Sequence, residues 1–377
     1  MRQAAVRTRP AIPAALTRIW TKSTRAQRRS VTLMTSVVLI LHLGGWGMLL
    51  TLVAPGHYTA GTTVFGIGLG VTAYTLGIRH AFDADHIAAI DNATRKLVSD
   101  NRKPLSAGFW FSLGHSTVVF VMVLALGLGG RALTHGIENR NSGLQRWTGV
   151  VGTGVSGAFL ILLGLLNLVS LIGIGRVFGT ARRGRYDERE LERRLQSRGA
   201  VNRVLAPLLR AVRAPGQLYP VGLLFGLGFD TVTEVSLLVL AGGAATTGMP
   251  WYAIVVLPLL FSAGMTLFDS LDGAYMNYAY GWAFAEPVRK IYYNLVMTGL
   301  SVTVALLIGA QEIISILADR LDITSGPLAW IGDLDLGSMG VVLVALFLGT
   351  WLLALALWRY TALGRRRGDE LIAGPPS

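Results

Sequence analysis

No cysteine occurs anywhere in the 377 residues. Disulfides, thiolate metal sites, iron–sulfur clusters and cysteine nucleophiles are thereby excluded. Any metal handled by the chain must meet nitrogen and oxygen donors. Imidazole and carboxylate suit nickel, cobalt, zinc, manganese or iron better than copper(I). Charge is scarce too: 15% of residues are charged, against about 25% in soluble domains. A Gly-x4-Gly-Lys-Ser/Thr run is absent, which removes the common nucleotide-binding motif and ATP hydrolysis by this chain. His-Glu-x-x-His is absent as well. Carboxylates are the rarer sign, 21 against 34 Lys and Arg, for a net charge of +13. The basic residues cluster in loops and termini between apolar runs, as in membrane proteins. No basic motif interleaved with aromatics is present to read bases, so nucleic acid is not an expected partner.

What is present is apolar sequence. Apolar residues make up 52% of the chain and the mean hydropathy is +0.52. Eight apolar segments fall roughly at 31–53, 64–93, 107–129, 148–173, 219–242, 251–278, 291–310 and 339–358. Each reaches the length of about 20 residues that a membrane span requires. The expected fold is therefore an all-α integral membrane protein with about eight transmembrane helices and the lipid bilayer as its solvent. Segment 31–53 is too long for the core of a signal peptide and reads as an uncleaved first helix. Segment 64–93 is too long for one simple span, is interrupted by Gly66, Gly68, Gly70 and Gly77, and carries charge in its second half. A tilted or broken helix is expected there.

Charge sets the expected orientation. Alternating eight spans places on one side the basic N-terminus, Arg95, Lys96, Arg102 and Lys103, the Arg-rich loop near 176–218, Arg289 and Lys290, and the tail with Arg365 to Arg367. The opposite side carries Glu312, Asp319, Asp322, Asp333 and Asp335, and only Arg131, Arg140 and Arg146 break the pattern. The positive-inside rule then makes both termini cytoplasmic. The organisation reads as a basic cytoplasmic segment 1–30, a membrane domain 31–358 and a cytoplasmic tail 359–377. The loop near 176–218 reads as a solvated connector of exposed amphipathic helices.

Ionisable residues inside apolar segments mark pathways and binding sites, because their burial in lipid is costly. The densest stretch is Arg79-His80-Ala81-Phe82-Asp83-Ala84-Asp85-His86-Ile87. On an unbroken helix His80, Asp83 and His86 share a face, and Asp85 points elsewhere. A break near Ala84 would instead admit Asp85. The third span adds His115 with Ser112, Ser116 and Thr117. In the fifth, Asp230 and Glu234 stand one turn apart, and in the sixth Asp269 and Asp272 are three apart. These four acidic groups can coordinate or attract a cation, or carry protons. By contrast His42, His57 and His135 read as bland.

Short internal echoes accompany the clusters. Phe111-Ser112-Leu113-Gly114-His115-Ser116 is similar to Phe261-Ser262-Ala263-Gly264-Met265-Thr266, and Phe82-Asp83 to Phe229-Asp230. They point to a repeat of spans 2–3 in spans 5–6, inverted if the spans alternate, an arrangement that places the site between the repeats.

Taken together, the motifs resemble the nickel/cobalt transporter (NiCoT) family. The resemblance rests on His-x4-Asp-His at His80, Asp85 and His86, on Phe111 to Val119, on Leu227 to Glu234 and on Gly264 to Gly273. It departs from the family only at Val232 and at Ser270-Leu271. The resemblance implies high-affinity uptake of Ni²⁺ or Co²⁺ across the cytoplasmic membrane, with His80, Asp85 and His86 needed for transport and ion selection. The expected protein is a secondary transporter with a divalent metal ion as substrate, no cofactor and no enzymatic activity. Two alternatives stand beside it. Related efflux proteins carry a histidine-rich loop, whereas the six histidines here are not clustered in one. His-x4-Asp is also the catalytic pair of glycerolipid acyltransferases, with histidine as general base, but the acids of spans 5 and 6 have no task in such a membrane enzyme.

Overall fold

The computed structural model describes residues 24–60, 63–129, 143–181, 212–227, 249–283, 287–334 and 339–360. The described chain is α-helical apart from a two-residue ladder, β1 (Thr59–Ala60) against β2 (Thr63–Val64). Every one of the eight apolar segments contains a described helix. Helix α1 (Arg25–Met48) starts at a capping box, in which the Thr24 hydroxyl accepts from Gln27 N–H and the Gln27 side chain accepts from Thr24 N–H. It runs on through a π turn to a 3-10 turn ending at Gly56. Segment 64–93 is broken, as its length and polarity suggest, into α2 (Ile67–Ala81) and α3 (Ala84–Ser99). There follow α4 (Ala107–Gly129), α5 (Gly143–Ala181), α6 (Leu218–Phe225), α7 (Trp251–Ala283), α8 (Pro287–Arg320), the short α9 (Pro327–Gly332) and α10 (Met339–Tyr360).

Among the described residues, five helices are long and apolar enough to cross a membrane: Arg25–Gly56, Ala107–Ala125, Val150–Val169, Trp251–Gly281 and Leu295–Arg320. Large apolar side chains face outward on them, including Leu39, Leu43, Val121, Leu271 and Leu307. Such a surface suits lipid and would be a liability in water. The chain is a multi-pass, all-α membrane protein.

Helix α7 is the hub, packed against α1, α2, α3 and α4, while α5 and α8 form a second closely packed pair. Two crossings share one register. Where α2 meets α7, a Cβ on Gly77 would land on the Phe261 carbonyl, and one on Gly264 would reach the Tyr74 carbonyl at 2.6 Å and Ile78 N at 3.2 Å. Where α6 meets α4, a Cβ on Gly222 would land on the Phe111 carbonyl, and one on Gly114 on the Tyr219 carbonyl, 2.9 Å from Leu223 N. Tyr74, Gly77, Ile78, Phe261 and Gly264 thus correspond to Tyr219, Gly222, Leu223, Phe111 and Gly114. Only glycine allows backbones this close. The contacts therefore repeat between spans 2–3 and 5–6, in a register two residues off the Phe-Asp match. Phe229 and Asp230 lie outside the described residues.

Two expectations need correction. Arg95 and Lys96 are not loop residues but belong to α3, only 4% and 6% exposed. Glu312 is not in a loop either; it lies in α8 and accepts from Ser156 Oγ of α5 at 3.0 Å. The helical period simply continues past the apolar stretch in both places. Most of the basic connector, 182–211, and the tail beyond Tyr360 lie outside the described residues.

Candidate metal centre

The break between α2 and α3 builds the site. Phe82 N–H donates to the Arg79 carbonyl at 3.0 Å and Asp83 N–H to that of His80 at 2.9 Å, which tightens the end of α2. Asp83 then turns extended (φ −65°, ψ 144°) at the N-cap position of α3, where aspartate is favoured. Its side chain does not cap the helix. Oδ2 of Asp83 instead lies 2.7 Å from Nδ1 of His80. Asp85 accepts from the backbone N–H of His86 at 2.9 Å. The helix is therefore broken, yet Asp83 and not Asp85 is the carboxylate beside His80. The break sits one residue earlier than Ala84, and Asp85 is engaged with the backbone of its neighbour.

Three imidazoles converge behind this turn. His80 ends α2, His86 opens α3 and His115 comes from α4; they are 1%, 0% and 2% exposed. One nitrogen from each lies within 4.8 Å of the others. His80 Nε2 and His115 Nε2 are 3.0 Å apart. Ring centroids stand 4.5 Å apart for His80 and His86, and 4.9 Å for His86 and His115. Among the described residues neither ring nitrogen of His86 has a hydrogen bond, Nδ1 having only a longer approach to Asp269. Leaving buried polar atoms unpaired costs about 1–3 kcal/mol each, so the arrangement suits a ligand that the nitrogens can hold. Asp269 of α7, fully buried, places Oδ2 3.4 Å from His86 Nδ1. Its position follows from close packing: a Cβ on Gly108 of α4 would land on the Asp269 carbonyl. In the same layer Ser112 donates to Thr266 at 3.2 Å. An imidazole and carboxylate set of this kind fits a divalent first-row transition metal.

Of the residues singled out in the sequence, His80, Asp83, His86, His115 and Asp269 are brought together. Asp85 borders the group through the His86 backbone. Asp272 lies one turn beyond Asp269, near enough to both Asp269 and Asp91 to feel their charge, and among the described residues its enclosed Oδ2 has no hydrogen bond. Asp230 and Glu234 lie outside the described residues, as does His135. His42 has polar company after all: its Nε2 is 3.2 Å from the Tyr74 hydroxyl.

A polar network on α3 escaped the sequence reading. Asp91 accepts from Tyr280 of α7 at 2.5 Å and from Ser301 of α8. Asn167 of α5 donates to Asn92 at 2.6 Å, and Arg95 donates to Thr298 of α8 at 2.5 Å. Helix α3 is buried from His86 to Leu97. The signal was there in the spacing of Ile87, Ile90, Thr94 and Leu97, which carries a helical stripe beyond Ile90.

The family model for high-affinity nickel-transport protein (NicO) matches residues 66–357. A nickel transporter, NicT, of Mycobacterium tuberculosis is 54% identical over 344 residues, 91% of this chain and 92% of the relative. The nickel transporter NixA of Staphylococcus aureus is 44% identical over 325 residues, 86% and 93% of the two chains. A cobalt transport protein, NhlF, of Rhodococcus rhodochrous is 40% identical over 334 residues, 87% and 92%. No solved structure matches the chain.

Proposed function

The chain belongs to the NicO family of high-affinity nickel-transport proteins, and from that premise we propose that it imports Ni²⁺, Co²⁺ or both across the cytoplasmic membrane as a secondary transporter. Membership makes it a transporter of a divalent metal ion and not an enzyme, so the acyltransferase alternative falls away. Direction, membrane and ligands are the proposal. The observation that carries it is the buried convergence of His80, His86 and His115 at a break between two helices. Transporters commonly place substrate sites at broken helices.

In this reading the cation arrives from the outer, more acidic face and sheds water onto the three imidazoles. Asp83 orients His80 through Nδ1, which leaves Nε2 for the metal; a carboxylate behind a ligating histidine also raises its basicity. Asp269 supplies negative charge beside His86, and Asp85, Asp272, Asp230 and Glu234 complete the acidic set. Relative movement of the two glycine-packed helix pairs then opens the site inward. The membrane potential favours entry by about 2.3 kcal/mol per elementary charge per 100 mV. Both termini are placed in the cytoplasm by the basic residues. Support for cobalt as well as nickel comes from the names of the relatives.

The test is accumulation of radioactive nickel and cobalt in cells expressing the wild type, His80→Ala or an empty vector. Wild-type cells gain metal, and His80→Ala cells match the vector. If the wild type also matches the vector, or lowers cell metal below it, import is the wrong reading.

A further inference from the structure

The α2–α3 break determines how His80 and His86 meet, and something outside those helices must hold it. The start of α10 touches it. Gly340 is buried, and a Cβ built on it would land on the Phe82 carbonyl and lie 3.1 Å from the Asp83 carbonyl carbon. In an unbroken helix the Phe82 carbonyl would accept from His86 N–H. Here that N–H goes to Asp85, and the bare Cα of Gly340 closes over the carbonyl instead. Contacts of Cα–H with carbonyl oxygen are weakly favourable and let backbones approach closely.

Helix α10 cannot easily back away. Phe347, 1% exposed, packs with Ile87 of α3, with Met276 and Tyr280 of α7 and with Met297 of α8, and Leu343 packs on the same cluster. Ile87 directly follows His86. The helix is thus anchored one to two turns beyond Gly340 on the same element that carries His86. A methyl group at position 340 must therefore move the Phe82–Asp83 turn. That turn carries Asp83, which holds His80 at 2.7 Å. The other glycine of α10 differs: a Cβ on Gly349 would meet nothing within 4 Å.

We propose that Gly340 is a positioning residue for metal transport: α10 is seated on the Phe82 carbonyl and fixes the angle at which His80 and His86 present their nitrogens. The proposal rests on the import reading for its transport assay, but it can be examined without transport. Purified Gly340→Ala and Gly349→Ala proteins are loaded with Co²⁺ and their visible ligand-field spectra compared with the wild type; nickel uptake is measured in parallel. Gly340→Ala is expected to shift the Co²⁺ bands, raise KM for Ni²⁺ about tenfold, as for loss of support behind a metal ligand, and change the ratio of nickel to cobalt taken up. Gly349→Ala should match the wild type in all three. A Gly340→Ala protein with an unshifted spectrum overturns the proposal, whatever the uptake assay says of direction. Should Gly340→Ala not reach the membrane, Leu343→Ala is used, which loosens the seat instead of crowding it. Leu343→Ala must then shift the Co²⁺ bands, and an unshifted spectrum overturns the proposal equally.

Discussion

At the crossing of α2 with α7, His80 stands three residues after Gly77 and faces His115 at 3.0 Å. At the crossing of α6 with α4, Phe225 stands three residues after Gly222 and packs edge-on against Phe111, centroids 5.1 Å apart. His80 likewise touches Phe261, the counterpart of Phe111, at 5.6 Å. After the second glycine of each pair comes His115 in one crossing and Met265 in the other. The backbone contacts repeat, and the side chains do not. Each crossing contributes one imidazole and one apolar side chain to matched positions: His80 with Met265 at α2–α7, and His115 with Phe225 at α6–α4. The difference teaches that glycine packing supplies the geometry, and that one histidine on each crossing, at non-matched positions, is enough to bring two imidazoles to a common point.

The sharpest way to break this contrast is to exchange function for packing at the matched positions. His80→Ala and His115→Ala should each lower nickel uptake about a hundredfold, the upper range for disturbing a metal ligand shell, while Phe225→Leu should retain most of it. Equal losses at His80 and Phe225 in uptake per unit of membrane protein would erase the distinction. Glycine substitutions test the other half of the comparison. Gly77→Ala and Gly222→Ala should destabilise the purified protein alike, by about 1–3 kcal/mol for overpacking, read as a fall in thermal midpoint. A large fall for one and none for the other would show that the crossings are not equivalent supports.

Within the His80 crossing, the two aspartates can be separated. Asp83→Asn should raise KM for Ni²⁺ about tenfold, because it removes the carboxylate behind His80. Asp85→Asn should have the smaller effect, since an amide oxygen still accepts from His86 N–H. The reverse order in an uptake titration would reinstate Asp85 as the nearer partner of the ion. The smallest contrast concerns the paired serines. Ser112 donates to Thr266, whereas its counterpart Ser262 has no hydrogen bond among the described residues. Ser112→Ala should cost about 1 kcal/mol and Ser262→Ala roughly none, because deleting an unpaired buried hydroxyl removes no bond. Thermal unfolding of the two variants checks the difference.

Much of the fold was legible because membrane spans advertise themselves. Long apolar runs and the lack of charge located every described helix except the short α9, and the glycines and charges of segment 64–93 foretold its break. The span-2 histidines were legible for the same reason: four ionisable groups stand out between apolar neighbours. Harder to see were groups in helices whose burial is not apolar. Asp91 and Asn92 close the second apolar segment and Arg95 looks like the loop beyond it, yet α3 stays buried through all three because α5, α7 and α8 offer them partners. The choice between Asp83 and Asp85 was also beyond helical geometry, since a break and a hydrogen bond to one backbone N–H decided it.

The sequence by itself determined the solvent, the class of chemistry and the family. An apolar chain without cysteine must bury its backbone in helices, and its scarce histidines and carboxylates must be there for a purpose, because lipid penalises them. Only the tertiary structure decided which of those groups share a point. His80, His86, His115 and Asp269 lie on four helices. Their meeting depends on backbones brought together at Gly77, Gly108 and Gly264, and on a turn seated against Gly340. No local pattern encodes such distances, because each is the result of two remote helices packing until their carbonyls meet a bare Cα.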